Sequence, residues 1–378
     1  MINTYKNMKL LIVLNHPAHY FVFKYSVLLL KDRGYEIQYV ICNKDILENL
    51  LINEGVDYIK INERRKRKQS FFSVAINGII QLIKQDLKLF KLTRKIKPQL
   101  LLGTDISITH VGKLLNIPSF VFNEDDYEIN KFFCKFSYPF ATKIVSPNVC
   151  SVGKYVNKKI AYNGFQKMAY LHPKYFSPNF LNIKDIVDVN EIFFVIRLVS
   201  LTSGHDEEEK HYGISNDILD IIIEKLSKRG KIFISSEKSI IKKYQQYALF
   251  IEPNKIHHLL NYASLFIGDS QSMAVEASML GVPNIRFNDF AGKISVLEEL
   301  EHTYGLTYGI KTNNPQALYN KIDELLMMPN LKDEFQTRRR RMLADKIDVT
   351  AFFAWFIENY PESKKIMKEN PDYQYRFK

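Results

Sequence analysis

One stretch of the chain joins an apolar strand pattern to a helical pattern through polar residues. Residues 266–283 read FIGDSQSMAVEASMLGVP. Ser270, Gln271 and Ser272 lie at the junction, where hydroxyls and the unpaired N–H groups of a helix start would stabilise a phosphate. Glu276 follows about 6 Å further along the helix axis and is placed to accept hydrogen bonds from a ribose. A plain N-cap followed by a solvated glutamate fits the same spacing, and the residues leave both interpretations open.

Further polar residues follow predicted strands of the N-terminal half. His16 and His19 come directly after the first apolar run, where an imidazole can bind a phosphate or act as a general base. Asp105 and Glu124 follow later strands, where a partly desolvated carboxylate has a raised pKa and can transfer a proton. Capping or solvated loop residues are the structural alternatives for all four. Asp126 shares the acidic cluster of Glu124 and is a candidate for substrate binding, as is His19.

In the C-terminal half, Arg197 and His205 belong to the first predicted strand and the loop after it. No Asp-x-Asp pair sits convincingly at a strand end, so there is no reason to require a divalent metal or another cofactor. We therefore expect Arg197 and the helix start at Ser270 to neutralise a leaving diphosphate.

The stretch 266–283 resembles the nucleotide-binding segment of the GT-B superfamily. It is most similar to the Asp-Ser-Gly-Gly…Glu-Glu-Ala element of the non-hydrolysing UDP-N-acetylglucosamine 2-epimerases, which implies that Ser270 binds phosphate and Glu276 binds ribose. This chain has Gln271 and Ser272 in place of the two glycines, so side chains stand where the backbone would approach the pyrophosphate.

Three more residues resemble functional residues of these epimerases. His205 is similar to the cleft-facing histidine of their second domain. Asp105 and Glu124 roughly parallel their two acids, although Gly-Thr-Asp stands here in place of Gly-Asp-Thr. The resemblance implies roles in proton transfer for all three residues.

Several other segments, taken in order with the Ser270 element, resemble a largely uncharacterised prokaryotic family of GT-B-like proteins, known mainly as a domain of unknown function. The resemblance covers almost the full chain, and such proteins are often assigned to surface-polysaccharide synthesis. The matching segments are His16-Pro-Ala-His-Tyr-Phe, Asn123-Glu-Asp-Asp126, Tyr170-Leu-His-Pro173, Arg197-Leu-Val-Ser200 and Gly204-His-Asp206.

Short apolar runs alternate with longer helical patterns along the chain, which is typical of parallel α/β units. We predict an α/β protein of two Rossmann-like, doubly wound domains facing a cleft, as in GT-B proteins. The domains are an N-terminal acceptor domain (1–165), a linker (166–190), a nucleotide-binding domain (191–347) and a C-terminal helix and tail (348–378) that cross back to the first domain. Helices are predicted over 71–96, 214–228, 238–247, 255–263, 272–280, 315–327 and 331–343.

Composition excludes several classes of protein. The chain has 378 residues, 46% of them apolar and 25% charged, which excludes disordered, collagen-like and disulfide-stapled proteins. Its three cysteines have no paired spacing, which favours a reducing compartment. The apolar run 10–14 is too short for a signal peptide, and no stretch reaches the roughly 20 apolar residues that span a bilayer. We therefore expect a cytoplasmic protein.

The formal charge of +12 favours anionic partners. A basic run at 63–68 leads into Phe71 and Phe72 and then into a lysine-rich helix. This region is either a solvated face or a peripheral contact, through residues 64–97, with the inner face of the cell membrane or with a lipid-linked acceptor. The chain has no recognisable nucleic-acid module, so we expect no nucleic-acid partner. The aromatic segment 351–357 is expected to pack rather than to bind.

The leading hypothesis is a glycosyltransferase of surface-polysaccharide synthesis that uses a nucleotide sugar, most simply of the UDP type, and a glycan or lipid-linked acceptor. Asp105 or Glu124 would be the general base, and His16, His19 and His205 would bracket the phosphates or the acceptor. The alternatives are a UDP-N-acetylglucosamine 2-epimerase-like enzyme, or a non-catalytic protein that binds anions or membranes.

Overall fold

The computed structural model describes residues 8–42, 45–62, 71–199, 213–236 and 240–378. The chain forms two compact units: unit 1 comprises Met1–Tyr170 and Ile347–Lys378, and unit 2 comprises Leu171–Lys346. The division between Tyr170 and Leu171 falls within the segment 166–190 that the sequence assigns to a linker. His205, Asp206 and the basic run at 63–68 lie outside the described residues.

The described strands of unit 1 form one parallel sheet in the order β3-β2-β1-β4-β5-β6-β7. The first strand, KLLIVL, is apolar after its first residue and almost fully buried, because helices cover both faces of a parallel sheet. The strands are β1 (Lys9–Leu14), β2 (Glu36–Cys42), β3 (Tyr58–Asn62), β4 (Leu100–Gly103), β5 (Ser119–Phe122), β6 (Lys143–Pro147) and β7 (Lys159–Tyr162).

The long predicted helix over 71–96 is confirmed, whereas the short helices over 107–115 and 131–137 were not predicted. These two are less than three turns long, too short for a clear helical period. A 3-10 helix covers Gly153–Lys158. Up to the unit boundary the described helices are α1 (Pro17–Asp32), α2 (Asp45–Asn53), α3 (Phe71–Ile96), α4 (Ser107–Leu115) and α5 (Lys131–Ser137). The short helix α6 (Met168–Leu171) spans the boundary itself.

Unit 2 has a second parallel sheet in the order β12-β11-β10-β8-β9. Its strands are β8 (Phe193–Leu198), β9 (Lys231–Ser236), β10 (Leu265–Gly268), β11 (Asn284–Phe287) and β12 (Tyr308–Ile310). Its helices are α7 (Asn216–Ser227), α8 (Ile256–Tyr262), α9 (Gln271–Leu280), α10 (Ser295–His302), α11 (Pro315–Met327) and α12 (Leu331–Asp345). Short 3-10 helices cover Phe180–Asn182 and Lys242–Tyr247.

The predicted helix over 238–247 is wrong in type, since the structure has only the 3-10 helix Lys242–Tyr247 there. Tyr244 is its one buried residue, and a single apolar anchor does not hold an α-helix against a sheet. Residues 237–239 lie outside the described residues.

The arginine-rich run of α12 supports the far end of α9. Arg339 donates from Nε to the carbonyl oxygen of Met279 at 2.6 Å, and Gln336 donates from Nε2 to that of Leu280 at 2.8 Å. Arg338 donates from Nη1 to the carbonyl oxygen of Gly305 at 2.7 Å. Arg339 and Gln336 bind carbonyls that the end of α9 leaves unpaired, and Arg338 binds the loop after α10, so these residues of the run are structural.

The chain ends in helices α13 (Val349–Glu358) and α14 (Glu362–Glu369), followed by a 3-10 helix over Pro371–Phe377. All three belong to unit 1. The ring of Phe353 lies 4.8 Å from that of Phe122 on β5, and the ring of Phe356 lies 5.3 Å from that of Phe120. The prediction that this segment returns to the first domain and packs through its aromatic residues is confirmed.

No helix in the described ranges is both long enough and apolar enough to cross a membrane.

Candidate functional site

In each unit the strand order reverses once, and candidate residues cluster at that reversal. In unit 2, β8 has β9 on one side and β10 on the other. In unit 1, β1 has β2 on one side and β4 on the other. The loops after these strands leave in opposite directions, and the crevice between them is where open α/β sheets bind ligands. Each unit therefore has a candidate site of its own.

The unit 2 reversal brings Arg197 beside Gly268, its register partner at the end of β10. A Cβ atom added to Gly268 would lie 2.9 Å from the carbonyl oxygen of Arg197, so the close strand approach requires glycine. The next residue, Asp269, is buried, and its Oδ1 accepts a hydrogen bond from the N–H of Val199 at 2.8 Å. Asp269 therefore connects the two strand ends, a role that the local sequence does not indicate.

Ser270 is the N-cap of α9, and its Oγ accepts a hydrogen bond from the N–H of Met273 at 3.4 Å. Gln271 and Ser272 begin the helix, where their N–H groups have no intrahelical acceptor. Oε1 of Gln271 is buried without a hydrogen-bond partner among the described residues. The helix start thus offers backbone donors and a side-chain amide to a ligand, while phosphate binding by these three residues stays a prediction.

Glu276 is buried on α9, with 7% of its surface exposed. Its Oε1 lies 3.3 Å from Nε2 of His257 on α8, and that histidine is also buried. The alternative of a solvated glutamate is therefore wrong, because α8 packs against α9 and covers the carboxylate. The sequence contained no clear signal for His257 beyond a pair of adjacent histidines.

Arg197 bonds to the neighbouring strand. Its Nη1 donates a hydrogen bond to Oγ of Ser235 at 2.7 Å, and the two residues are register partners on β8 and β9. The guanidinium thus stays at the strand ends next to Gly268. Its predicted contact with a diphosphate stays a prediction.

Asp105 follows β4 at the unit 1 reversal and is only 4% exposed. Its carboxylate accepts hydrogen bonds from Nδ2 of Asn15 at 2.6 Å, Nε2 of Gln85 at 2.8 Å and the N–H of Ile108 at 3.1 Å. Burial raises the pKa of Asp105, and these three bonds oppose that rise. Asp105 therefore has both features that the sequence leaves open. It binds the first turn of α4, as a capping residue does, and it is a desolvated carboxylate, as a proton-transfer residue would be.

His16 and His19 bond within the loop and helix that carry them. Nδ1 of His16 accepts a hydrogen bond from the N–H of Ala18 at 3.2 Å and caps α1. Nδ1 of His19 accepts one from the N–H of Asn15 at 3.3 Å, and the side chain of Asn15 binds Asp105. The structure thus brings both histidines to the reversal that holds Asp105. The catalytic role of His16 and the substrate contact of His19 stay predictions.

Glu124 follows β5 and is engaged through both carboxylate oxygens. Oε1 forms an ion pair with Nζ of the buried Lys167. Oε2 accepts a hydrogen bond from the N–H of Gln166 at 2.9 Å. The sequence did not indicate Lys167, because it lies in the segment assigned to the linker. These contacts hold the carboxylate of Glu124 within unit 1, and its predicted catalytic role stays a prediction.

Asp126 is buried in the same loop. Its Oδ1 accepts a hydrogen bond from the N–H of Ser151 at 2.7 Å, and its carbonyl oxygen accepts one from the N–H of Ile129 at 3.0 Å. These bonds hold the loop after β5 in place. Substrate binding by Asp126 stays a prediction.

Three residues that the sequence did not indicate interact with Asp105, by a hydrogen bond or through their charge: Gln85, Asp86 and His110. His110 on α4 has Oδ2 of Asp86 2.8 Å from its Nδ1 and the carbonyl oxygen of Phe136 2.8 Å from its Nε2. Both neighbours are acceptors, so the imidazolium with two N–H groups satisfies both contacts. The hydrogen bond to Asp86 raises the pKa of His110. Asp86 adjoins Gln85, whose amide binds Asp105, so His110 is linked to the candidate base.

Among the described residues, one group of side chains has the spacing of metal ligands: Glu298, Glu301 and His302. Arg286 is fully buried and binds both carboxylates, with Nη2 2.9 Å from Glu298 and 2.7 Å from Glu301. The guanidinium thus offsets part of the charge of these two acids, and we assign the group to an ion-pair cluster that reaches the surface of unit 2 at the exposed His302.

Two parallel sheets, each with one reversal of strand order, give this chain a fold of two Rossmann-like domains, which is similar to the GT-B-like fold of the solved structures described below. The chain belongs to the family described as protein of unknown function (DUF354), whose family model matches residues 71–298. The resemblance drawn from the sequence is thereby confirmed. No curated protein matches the chain.

Solved structures of two kinds of enzyme are similar to the chain. The UDP-GlcNAc 2-epimerase of Neisseria meningitidis bound to UDP-GlcNAc has a TM-score of 0.63 at 14% identity, covering 96% of this chain and 99% of that one. The epimerase of Methanocaldococcus jannaschii has a TM-score of 0.60 at 16% identity, with coverages of 89% and 99%. CalG4, the calicheamicin glycosyltransferase, has a TM-score of 0.56 at 12% identity, with coverages of 94% and 98%. These likenesses confirm the predicted α/β class of two Rossmann-like domains.

Proposed function

We propose that this protein is a nucleotide-sugar-dependent glycosyltransferase that binds the nucleotide through unit 2. The observation that carries the proposal is that one helix, α9, begins at the strand reversal and bears the buried carboxylate of Glu276. A helix start stabilises a phosphate, and a carboxylate is a strong acceptor for ribose hydroxyls. We assign the diphosphate to Ser270, Gln271 and Ser272 and the ribose to Glu276.

The solved relatives support the choice of nucleotide. The Neisseria epimerase was solved with UDP-GlcNAc bound, and the same fold serves the calicheamicin glycosyltransferase. We therefore propose a UDP sugar as the substrate. Arg197 lies at the same strand ends, and its charge would help to offset the diphosphate as it leaves.

We assign Asp105 as the general base. An acceptor hydroxyl must lose a proton as it attacks the sugar, and a carboxylate with a raised pKa is suited to take it. His16 and His19 lie at the same reversal and are assigned to the acceptor. We further propose that the acceptor is a glycan or a lipid-linked glycan of surface-polysaccharide synthesis, since the charge of +12 favours an anionic partner.

A UDP-N-acetylglucosamine 2-epimerase activity is the second candidate, supported by the structural likeness to two such enzymes. In that reaction Asp105, Glu124 and His205 would share proton transfer and elimination. Glu124, however, is held by Lys167 and by the N–H of Gln166. These contacts engage both carboxylate oxygens of Glu124, so in an epimerase Glu124 would have to leave one of them to reach the substrate.

Incubation with UDP-GlcNAc alone separates the two activities. Formation of the manno epimer, detected by proton NMR, would overturn transfer in favour of epimerisation. Release of UDP that depends on an added acceptor, without epimer, supports transfer. Failure to bind any nucleoside diphosphate in calorimetry, together with strong binding to anionic vesicles, would overturn both in favour of a non-catalytic protein.

The nucleotide assignment is tested by Glu276→Gln, which keeps the shape of the side chain and removes its charge. A hydrogen bond to a charged group contributes about 1.5–3 kcal/mol, so we expect UDP affinity to fall about 10- to 140-fold. The control is Glu334→Gln, a partly exposed residue on α12 paired with Arg338. Equal UDP affinity of both variants in calorimetry would remove Glu276 from the site.

A further inference from the structure

Helix α3 is held on unit 1 by one row of inward-facing side chains. Leu89 and Thr93 are fully buried, and Phe90, Leu92 and Ile96 pack partly against the same core. This row fixes the rotation of the helix about its axis. The remaining described side chains of α3 therefore point away from the core in a defined direction.

The first outward row is apolar. Ile79, Ile83 and Leu87 follow at every fourth position and are 44%, 52% and 57% exposed. Ile80 is 41% exposed and lies seven residues, or two helical turns, before Leu87. Four large apolar side chains thus form a continuous exposed strip, whereas exposed apolar residues are normally scattered.

The neighbouring row is basic. Its spacing of four, three and four residues keeps its members on one side of the helix. The only acid of 78–96, Asp86, faces His110 and bonds to it. The lysine row thus has no acidic neighbour on its own side of the helix. The row consists of the exposed residues Lys84, Lys88, Lys91 and Lys95.

We infer that these two rows, together called the α3 face, are a docking surface for an anionic phospholipid bilayer. An apolar strip beside a lysine row is the composition of helices that lie in the membrane interface. The strip enters the boundary between headgroups and acyl chains, and the lysines bind lipid phosphates. The inference does not depend on the proposed enzymatic activity.

Two other occupants fit the α3 face less well. A nucleic acid would satisfy the lysines, but it would leave the strip of Ile79, Ile83 and Leu87 in water. A second copy of the chain would cover the strip, but a two-fold contact would bring two lysine rows close together. The bilayer satisfies both rows at once.

Cosedimentation with vesicles tests the inference. We expect the full chain to bind vesicles of equal parts phosphatidylglycerol and phosphatidylcholine at least tenfold more tightly than pure phosphatidylcholine. The triple variant Ile79→Ser/Ile83→Ser/Leu87→Ser should lose at least tenfold in binding to the mixed vesicles. Lys84→Glu/Lys88→Glu/Lys91→Glu should lose as much, and the salt dependence should disappear with it. All six positions are exposed, so each variant should remain folded, and circular dichroism checks this.

The matched control makes the same charge change on another exposed helix: Lys364→Glu/Lys365→Glu/Lys368→Glu on α14. This variant should bind vesicles within about twofold of the wild type, because α14 packs beside β7 and α3 beside β3, at opposite edges of the unit 1 sheet. Equal loss in this control would overturn the inference and show attraction by net charge alone. Two further results would also overturn it: binding to duplex DNA without vesicle binding, or a dimer in sedimentation equilibrium that the serine variant abolishes.

Discussion

Nε2 of His257 lies 3.3 Å from Oε1 of Glu276, and both side chains are buried in unit 2. When one of two buried polar groups in contact is removed, the other stays desolvated and loses that contact. The residue that we assign to the ribose is thus in contact with a polar residue of another helix. This arrangement has consequences for stability as well as for binding.

We expect His257→Leu to lower the free energy of unfolding by about 1–3 kcal/mol, because the carboxylate of Glu276 loses its buried partner. Urea denaturation measures this difference. In a double-mutant cycle, Glu276→Gln should cost less in the His257→Leu background than in the wild type. Strictly additive effects would show that the two side chains are not coupled.

His110 makes the stability of unit 1 depend on pH. Its pKa in the folded protein is raised, chiefly by the hydrogen bond to Asp86, above the unfolded value of about 6.5. The stabilisation by the imidazolium is thus fully present below about pH 6.5 and is lost as the pH rises through the folded pKa. Besides Asp86, the charged group that acts on this imidazole is Asp105, and α5 contributes the carbonyl of Phe136.

The measurement is the melting temperature of the wild type and of His110→Gln between about pH 6 and pH 9. We expect the melting temperature of the wild type to exceed that of His110→Gln by most at the lowest pH, and this difference to shrink as the pH rises. The control, His302→Gln, makes the same substitution at an exposed histidine and should change the melting temperature less than His110→Gln does, because exposed ion pairs contribute little to stability. A difference in melting temperature that grows with pH would mean that His110 is neutral in the folded protein.

Strong periodicity made much of the fold predictable. Helices α3 and α11 have the predicted bounds, because α3 carries a long amphipathic pattern and α11 begins at Asn314 and Pro315, a cap followed by a favoured first residue. Helices α4 and α5 escaped prediction because each is short and draws its stability from packing on a strand or on another helix.

The candidate site was predictable only where a strand end and a polar loop coincide in sequence. Ser270 and Asp105 are such positions. The partner of Glu124, Lys167, lies 43 residues away in sequence, and His257 lies on a separate helix from Glu276. Such pairings depend on how finished elements pack, which local residue patterns do not encode.

Gly103 shapes the unit 1 reversal just before Asp105. Its φ is 152°, and an added Cβ atom would lie 2.5 Å from the carbonyl oxygen of Val13. We expect Gly103→Ala to lower the free energy of unfolding by at least about 1–3 kcal/mol. Gly78→Ala is the control: a Cβ there meets nothing within 4 Å, and alanine should stabilise helix α3 by about 0.5–1 kcal/mol. Equal stability of the two variants in urea denaturation would contradict the strain at Gly103.

Nδ2 of Asn15 lies 2.6 Å from Oδ2 of Asp105. A substitution at Asn15 therefore changes the pKa of the proposed base without replacing the base itself. Asn15→Asp replaces a donor with a second negative charge, and both changes raise the pKa of Asp105 further. A general base works when deprotonated, so the acid limb of the pH–rate profile should move to higher pH by about one unit, with the rate recovering at alkaline pH. Asn157→Asp, an exposed position with the same charge change, should leave the profile unchanged. A limb that stays in place while Asn15→Asp remains folded would exclude Asp105 as the base, because Asp105 is the acceptor of the hydrogen bond from the Asn15 side chain.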